Sequence, residues 1–340
     1  MVKLRSMVAA LLVVFGAGVN AAEAPRGSLA NALEPSVVRL VVGLQGSSGS
    51  TIGPDGALYV TEGAVGRVLR VDPKTGAMTP FASGFPPSIV GIGGAMDIAF
   101  LDNVAYVLVT LVGADVGGVS VVGIYRVDGP NHVTPIADIG AFSVANPPKT
   151  SFFVPTGVQY AMQPFRGGFL VTDGHHNRVL RVTLDGVVSE FITFGNIVPT
   201  GLAVHGKTVY VAQAGPVPHE PQTGKVVSID AKSLKVTKVA SGARLNVDVE
   251  FGEGRTLYAL SQGDFPDGSP DGSPALPDTG ALLRVNEDGT MTVIIDRLNQ
   301  PTSLEFIGNT AYVVTLGGEV WRIDNVSHPP YGVSRRTGPS

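Results

Sequence analysis

Residues 57–72 read Ala57-Leu58-Tyr59-Val60-Thr61-Glu62-Gly63-Ala64-Val65-Gly66-Arg67-Val68-Leu69-Arg70-Val71-Asp72. An apolar segment rich in Tyr, Val and Thr stops at a glycine-bearing turn, and a second segment ends in Arg-Val-Asp. Both segments are too short for a stable helix and carry the β-branched and aromatic residues of strands. The first half returns as Ala105-Tyr106-Val107-Leu108, Phe169-Leu170-Val171-Thr172, Val209-Tyr210-Val211-Ala212, Leu257-Tyr258-Ala259-Leu260 and Ala311-Tyr312-Val313-Val314-Thr315. The second half returns as Arg126-Val127-Asp128, Arg181-Val182-Thr183, Ser228-Ile229-Asp230, Arg284-Val285-Asn286 and Arg322-Ile323-Asp324.

Six copies at a spacing of about 50 residues are the mark of a repeat architecture. A four-stranded antiparallel unit repeated at that spacing is a propeller blade, and radial packing leaves few open sheet edges. Tight turns such as Pro54-Asp55-Gly56, Leu184-Asp185-Gly186 and Glu287-Asp288-Gly289 supply the residues with positive φ that hairpins need. No stretch sustains a helical period. The expected fold is therefore all-β: a six-bladed β-propeller of four-stranded antiparallel blades. After Asp324 the chain leaves the last blade one strand short. The strand over residues 36–43, with no blade of its own, is expected to supply it and close the ring. A seventh Tyr-Val-Thr/Arg-Val-Asp pair is missing, which excludes seven blades.

Upstream, Lys3 and Arg5 precede an uncharged apolar run from Met7 to Val19, followed by small residues. This is the pattern of an export signal, with cleavage after Ala21 or Ala22. The run is roughly 13 residues, short of the ~20 needed to cross a bilayer, although an uncleaved anchor is the alternative. The expected organisation is a signal peptide over 1–21, a linker over 22–35, the propeller over 36–326 and a disordered tail over 327–340. The mature chain is expected in the periplasm or outside the cell, as a monomer. The chain has no cysteine, which removes disulfides and thiolate nucleophiles. With 24 Lys+Arg against 28 Asp+Glu, and no basic run except Arg335-Arg336, nothing favours nucleic acid as partner.

Loop lengths divide the two faces of the ring. Residues 84–94, 111–120, 140–154, 214–225 and 261–280 form long connections that all emerge on one face. The opposite face has only tight turns. Long loops on a rigid scaffold favour recognition, so a small molecule, a glycan or a protein is expected there. The same face collects the candidate site residues. Glu62 and Asp173 follow the second strands of blades one and three. Gln213 and Gln262 stand near that position in blades four and five. Asp97 and Asp248 lie near the starts of inner strands. His175 and His176 sit in Asp173-Gly174-His175-His176-Asn177-Arg178, the densest polar cluster. A histidine with one or two carboxylates suits a divalent cation or general-base chemistry. The competing reading of Asp173 is a cap on its own turn. The loop from Asp264 to Ser273 has the oxygen donors that calcium takes but not the spacing of an EF-hand, and reads more simply as a Pro/Gly/Asp insertion. No cofactor is called for otherwise. No Gly-x-Ser-x-Gly elbow surrounds any serine.

Val171-Thr172-Asp173-Gly174-His175-His176-Asn177-Arg178-Val179-Leu180-Arg181-Val182 resembles the ScyD/ScyE family of exported, NHL-like bacterial propellers, as do Pro155-Thr156-Gly157, Pro199-Thr200-Gly201 and Leu58-Tyr59-Val60-Thr61-Glu62. The resemblance spans about Ser36 to Val326 and implies a propeller and export, with no settled catalytic residue set. Two function classes stay open: a binding or scaffold propeller using the long-loop face, and a metal-dependent hydrolase or lactonase like the gluconolactonase and paraoxonase group. Glu62, Asp173 and Asp248 are the candidate analogues of that group's cation ligands.

Overall fold

The computed structural model of the protein describes residues 34–151, 154–270 and 272–326. The expected signal peptide, most of the linker and the C-terminal tail lie outside the described residues. Within them the chain forms six four-stranded antiparallel sheets. In five of these sheets the strands follow chain order from the inner strand outward, and in the sixth the first three do. The inner strands are Ser47–Ile52, Gly94–Leu101, Gln159–Pro164, Pro199–His205, Asn246–Phe251 and Pro301–Ile307.

Blade six completes itself as the sequence predicts. Its outer strand is Ser36–Val41, paired antiparallel with Glu319–Asp324 from the other end of the chain. Leu44 then donates its N–H to the Gly318 carbonyl at 3.0 Å, which ties the incoming chain to the turn of the same blade. The last blade thus holds both ends of the propeller together.

Burial follows from where each strand stands. Second strands such as Leu58–Glu62, Gly168–Asp173 and Leu257–Ser261 are buried along their whole length, because both of their faces meet a neighbouring blade. This explains why they read as near-continuous apolar runs rather than alternating ones. Outer strands such as Met78–Ser83 and Val188–Thr193 stay largely exposed. The core is a set of six apolar layers, one between each pair of adjacent blades. In the layer between blades one and two, Tyr59 packs edge-on against Phe81 and Phe100 with ring centroids 4.8 and 4.9 Å away. Each fully buried side chain of this size stabilises the stack by roughly 1.5–3 kcal/mol.

Among the described residues one α-helix, Ile139–Ala145, interrupts the all-β pattern in the connection from blade two to blade three, beside two short 3-10 turns at Ala114–Val116 and Glu253–Arg255. Asp138 caps it by accepting the Ala141 N–H at 2.7 Å. Among the described residues no helix is long and apolar enough to cross a membrane.

Candidate functional site

All six inner strands carry the same irregularity. Their pairing with the second strand slips near the start, at a β-bulge. A bulge bends its strand and re-aims a side chain. Here the bulge residues Ser48, Met96, Tyr160, Thr200, Val247 and Thr302 all line one cavity of about 150 Å³ at the centre of the ring. The next residues along, Gly49, Asp97, Ala161, Gly201, Asp248 and Ser303, line it too.

That second set contains a repeated device. Asp97 in blade two accepts the Ile98 N–H at 2.8 Å and the Met162 N–H of blade three at 2.7 Å. Asp248 in blade five accepts the Val249 N–H and the Leu304 N–H of blade six, both at 2.8 Å. Blades two and five stand opposite one another, three steps apart in the ring of six. Each carboxyl therefore fastens its blade to the next at the bulge, where the ladder leaves a backbone N–H free. Space for each comes from a glycine in the preceding blade. A Cβ on Gly49 would fall 2.4 Å from an Asp97 carboxyl oxygen, and one on Gly201 would fall 2.0 Å from an Asp248 oxygen.

Two further acids share the cavity. Glu250 lies two residues beyond Asp248 on the same side of the strand, and Glu305 occupies the matching position in blade six. Glu250 accepts the N–H of Phe251 at 2.7 Å. None of the described residues donates a hydrogen bond to the Glu305 carboxyl, whose remaining accessibility faces the cavity. The four acids titrate abnormally. Burial pushes Asp97 well above the usual carboxylate range, opposed by its backbone donors and helped by the charge of Asp248. Burial pushes Asp248 up to about 7. Glu250 is raised by burial, with Asp248 adding to it. Glu305 is raised well above its ordinary value by burial, then by Glu250, Asp248 and Asp97. Among the described residues no lysine or arginine lines the cavity.

The mouth belongs to the long-loop face. Ile92, His219 and the segment with Gly272, Ser273 and Pro274 come from three of the five long connections and complete the cavity wall. The last segment is pinned over the ring: the Gln262 side-chain oxygen accepts the Ala275 N–H at 2.9 Å, and Gln300 donates to the Ala275 carbonyl at 2.5 Å. Ala275 is buried with Val198, Ala214 and Leu245. Asp264, read from sequence as a candidate calcium donor, pairs with Arg244 at 2.8 Å, and Asp271 lies outside the described residues.

Of the eight residues singled out from sequence, Asp97, Asp248 and Gln262 line the cavity. Glu62, Asp173, His175, His176 and Gln213 are buried elsewhere. Asp173 meets the Arg178 Nε at 2.9 Å, Gln159 Nε2 at 3.0 Å and the Ser143 hydroxyl at 3.3 Å. His176 donates from Nε2 to the Val154 carbonyl at 2.9 Å, and its Nδ1 faces Asp173 and Arg178, each at 3.2 Å. His175 bonds the Tyr160 hydroxyl at 3.0 Å. This cluster fastens the helix Ile139–Ala145 and the loop after it to blade three. Glu62 makes the matching pair with Arg67 and accepts the Gln45 N–H at 2.8 Å. Tested as cation ligands, these groups do not fit: the oxygens of Asp173 and Glu62 are taken by arginine and amide donors. Among the described residues no three His, Cys, Asp or Glu side chains are placed to share a metal ion.

The fold and cavity define a six-bladed propeller with an acid-lined central pocket. No protein-family model matches the chain, and no curated protein matches it. Solved structures do. A gluconolactonase from Xanthomonas campestris is 12% identical at a TM-score of 0.59, over 85% of this chain and 89% of that one. A luciferin-regenerating enzyme is 12% identical at a TM-score of 0.58, over 88% and 98%. Virginiamycin B lyase from Staphylococcus aureus is 13% identical at 0.51, over 86% and 99%. At such identities the likeness establishes the fold alone.

Proposed function

We propose that this chain is an exported binding propeller of the ScyD/ScyE type that takes a small molecule into its central pocket through the long-loop face. The observation that carries the reading is the cavity itself. Its volume is that of a benzene-sized group, its wall mixes apolar side chains such as Met96, Val198, Leu245 and Val247 with hydroxyl and amide groups, and its carboxyls converge from blades two, five and six. A mostly apolar recess with a few convergent polar groups is the usual form of a ligand site. Three long loops build its mouth, while the tight-turn face contributes none of them. Export rests on the sequence pattern of the first residues, and the family resemblance on the blade-three motif.

A second reading draws on the likeness of fold to a gluconolactonase and on the raised carboxyls. A neutral carboxylic acid beside an ionised one is the pairing that general acid–base hydrolysis uses. Since the donor set does not fit a resident cation, such chemistry here falls to Asp248 and its neighbours.

Ligand-observed NMR against a panel of small polar and amphipathic compounds tests both. Binding by the mature protein that disappears in Ser48→Trp and Val247→Trp, which plug the tunnel at its bulge ring, supports the pocket. Binding that survives both plugs places recognition elsewhere and ends the proposal. Turnover of a lactone that is lost in Asp248→Asn moves the assignment to the hydrolase.

A further inference from the structure

We propose that the pocket takes an amphipathic organic cation: an ammonium head among Asp97, Asp248, Glu250 and Glu305, and an apolar body against Met96, Val247 and Leu245 toward Ile92. The inference deepens the small-molecule reading above and rests on it.

Its first support is the balance of donors and acceptors. A carboxylate offers about four lone-pair directions. Asp97 and Asp248 each commit two of them to backbone N–H groups. Glu250 commits one, and Glu305, deep in the tunnel and facing the cavity, commits none. The four acids are therefore rich in unused acceptor positions, while hydroxyl and amide groups of the lining such as Ser48, Thr200, Thr302 and Gln163 can donate as well as accept. A sugar or other polyol finds partners among those groups but brings no charge to the four acids. An ammonium group brings donors only, together with the charge that four mutually repelling acids lack.

The second support is the wall above the acids. Met96, Val198, Leu245 and Val247 stand between the carboxyls and the mouth. Beyond Ile92 the apolar surface continues over exposed Ile89 and Val90 of the same loop. A hydrated metal ion gains nothing from that path, whereas the carbon body of an organic cation covers it. The titratable groups facing the site are the four acids, the Tyr160 phenol from blade three and His219 at the mouth. Burial pushes the phenol up, so it stays neutral. The raised carboxyls hold protons when the pocket holds no cation, and an arriving ammonium drives some of them off.

The test is calorimetric titration of the full mature chain with n-pentylammonium, n-pentanol and calcium chloride, in phosphate and in Tris. The amine is expected to bind with proton release, seen as a buffer-dependent enthalpy, and to outcompete the alcohol. Glu305→Gln and Glu250→Gln should each weaken it by roughly tenfold or more, the scale of a lost charged hydrogen bond. Affinity should also fall as pH drops from about 8 to about 5, because the pocket acids protonate while an alkylamine stays charged. This pH series on the unaltered protein stands even if a variant fails to fold. The inference is overturned if the alcohol binds as well as the amine, if calcium binds and the amine does not, if no amine binding occurs, or if both glutamine variants keep full affinity. Neutral compounds that bind and are blocked by the tryptophan plugs would remove the cation while leaving the pocket reading in place.

Discussion

Replacing Asp248 by Asn separates what this carboxyl does for the ring from what it costs. The carboxylate accepts two backbone N–H groups, from Val249 in its own strand and from Leu304 in the next blade. An amide has one acceptor oxygen, and its NH₂ faces whichever N–H it cannot satisfy. One buried donor is orphaned, at a cost of about 1–3 kcal/mol. Against this stands the titration. Folding raises the Asp248 carboxyl from its ordinary value of 3.8 to about 7, chiefly by burial. Between those values the folded state holds a proton that the unfolded chain has released. Stability therefore falls as pH rises, by about 1.4 kcal/mol per pH unit for one proton. Across the whole window the loss approaches about 4 kcal/mol, an upper bound because the carboxyl keeps contact with the tunnel. Asn carries no such dependence and also relieves its acidic neighbours. The variant should be the less stable protein near pH 4 and the more stable one above about pH 8. Urea unfolding of both proteins across that range measures it. A wild-type stability that is flat or rising through the window, or a variant curve parallel to it, refutes the reasoning.

Three further substitutions probe the same architecture. Gly201→Ala forces a Cβ to within 2.0 Å of an Asp248 oxygen and 2.6 Å of its Cα; overpacking of that kind should cost about 3 kcal/mol, and an unchanged melting temperature would sink the account of how the acid is housed. Arg178→Met strands Asp173 in a fully buried pair and should cost about 3–5 kcal/mol. Arg67→Met breaks the matching pair of blade one, where Glu62 is buried but the arginine side chain is 36% exposed, so that water can replace it, and should cost less, about 1–3 kcal/mol. Equal shifts for the two variants in thermal melts contradict the difference in burial.

The blades and their closure were legible because propeller strands repeat a local signal six times. Tyr-Val-Thr and Arg-Val-Asp mark second and third strands wherever they fall, and the surplus strand at Ser36–Val41 has only one open edge to fill. The helix Ile139–Ala145 was not legible, since seven residues show barely two turns of any period. The site was legible in part. Glu62 and Asp173 end second strands on the loop face and so read as pocket residues. Their side chains instead meet the arginines directly opposite them on the third strand, at pairs Glu62↔Arg67 and Asp173↔Arg178. Glu250 was within reach, because the two-residue period from Asp248 places it on the same side. Glu305 was not: the residue two before it is Ser303, and only an alignment of all six inner strands at their bulges matches it to Glu250.

The distribution of the acids separates the parts of the molecule that hold the ring together from the part that does not. The stabilising apolar layers lie between blades and reach the central cavity at a few residues such as Ala161, Leu202, Val247 and Leu304. The carboxyls on the axis belong to none of those layers and are thus free of the packing demands that govern the core. Asp97 and Asp248 still contribute structure, since each bridges two blades through backbone donors. Glu250 accepts only the N–H of its own neighbour, and Glu305 accepts none from the described residues. Burying these two carboxyls is unfavourable by desolvation and by mutual repulsion, and no interblade contact offsets it. Departures of this kind from what the fold needs are expected at functional or strained sites. Within the proposed pocket, the residue to test first is therefore Glu305, the acid that the fold has no use for.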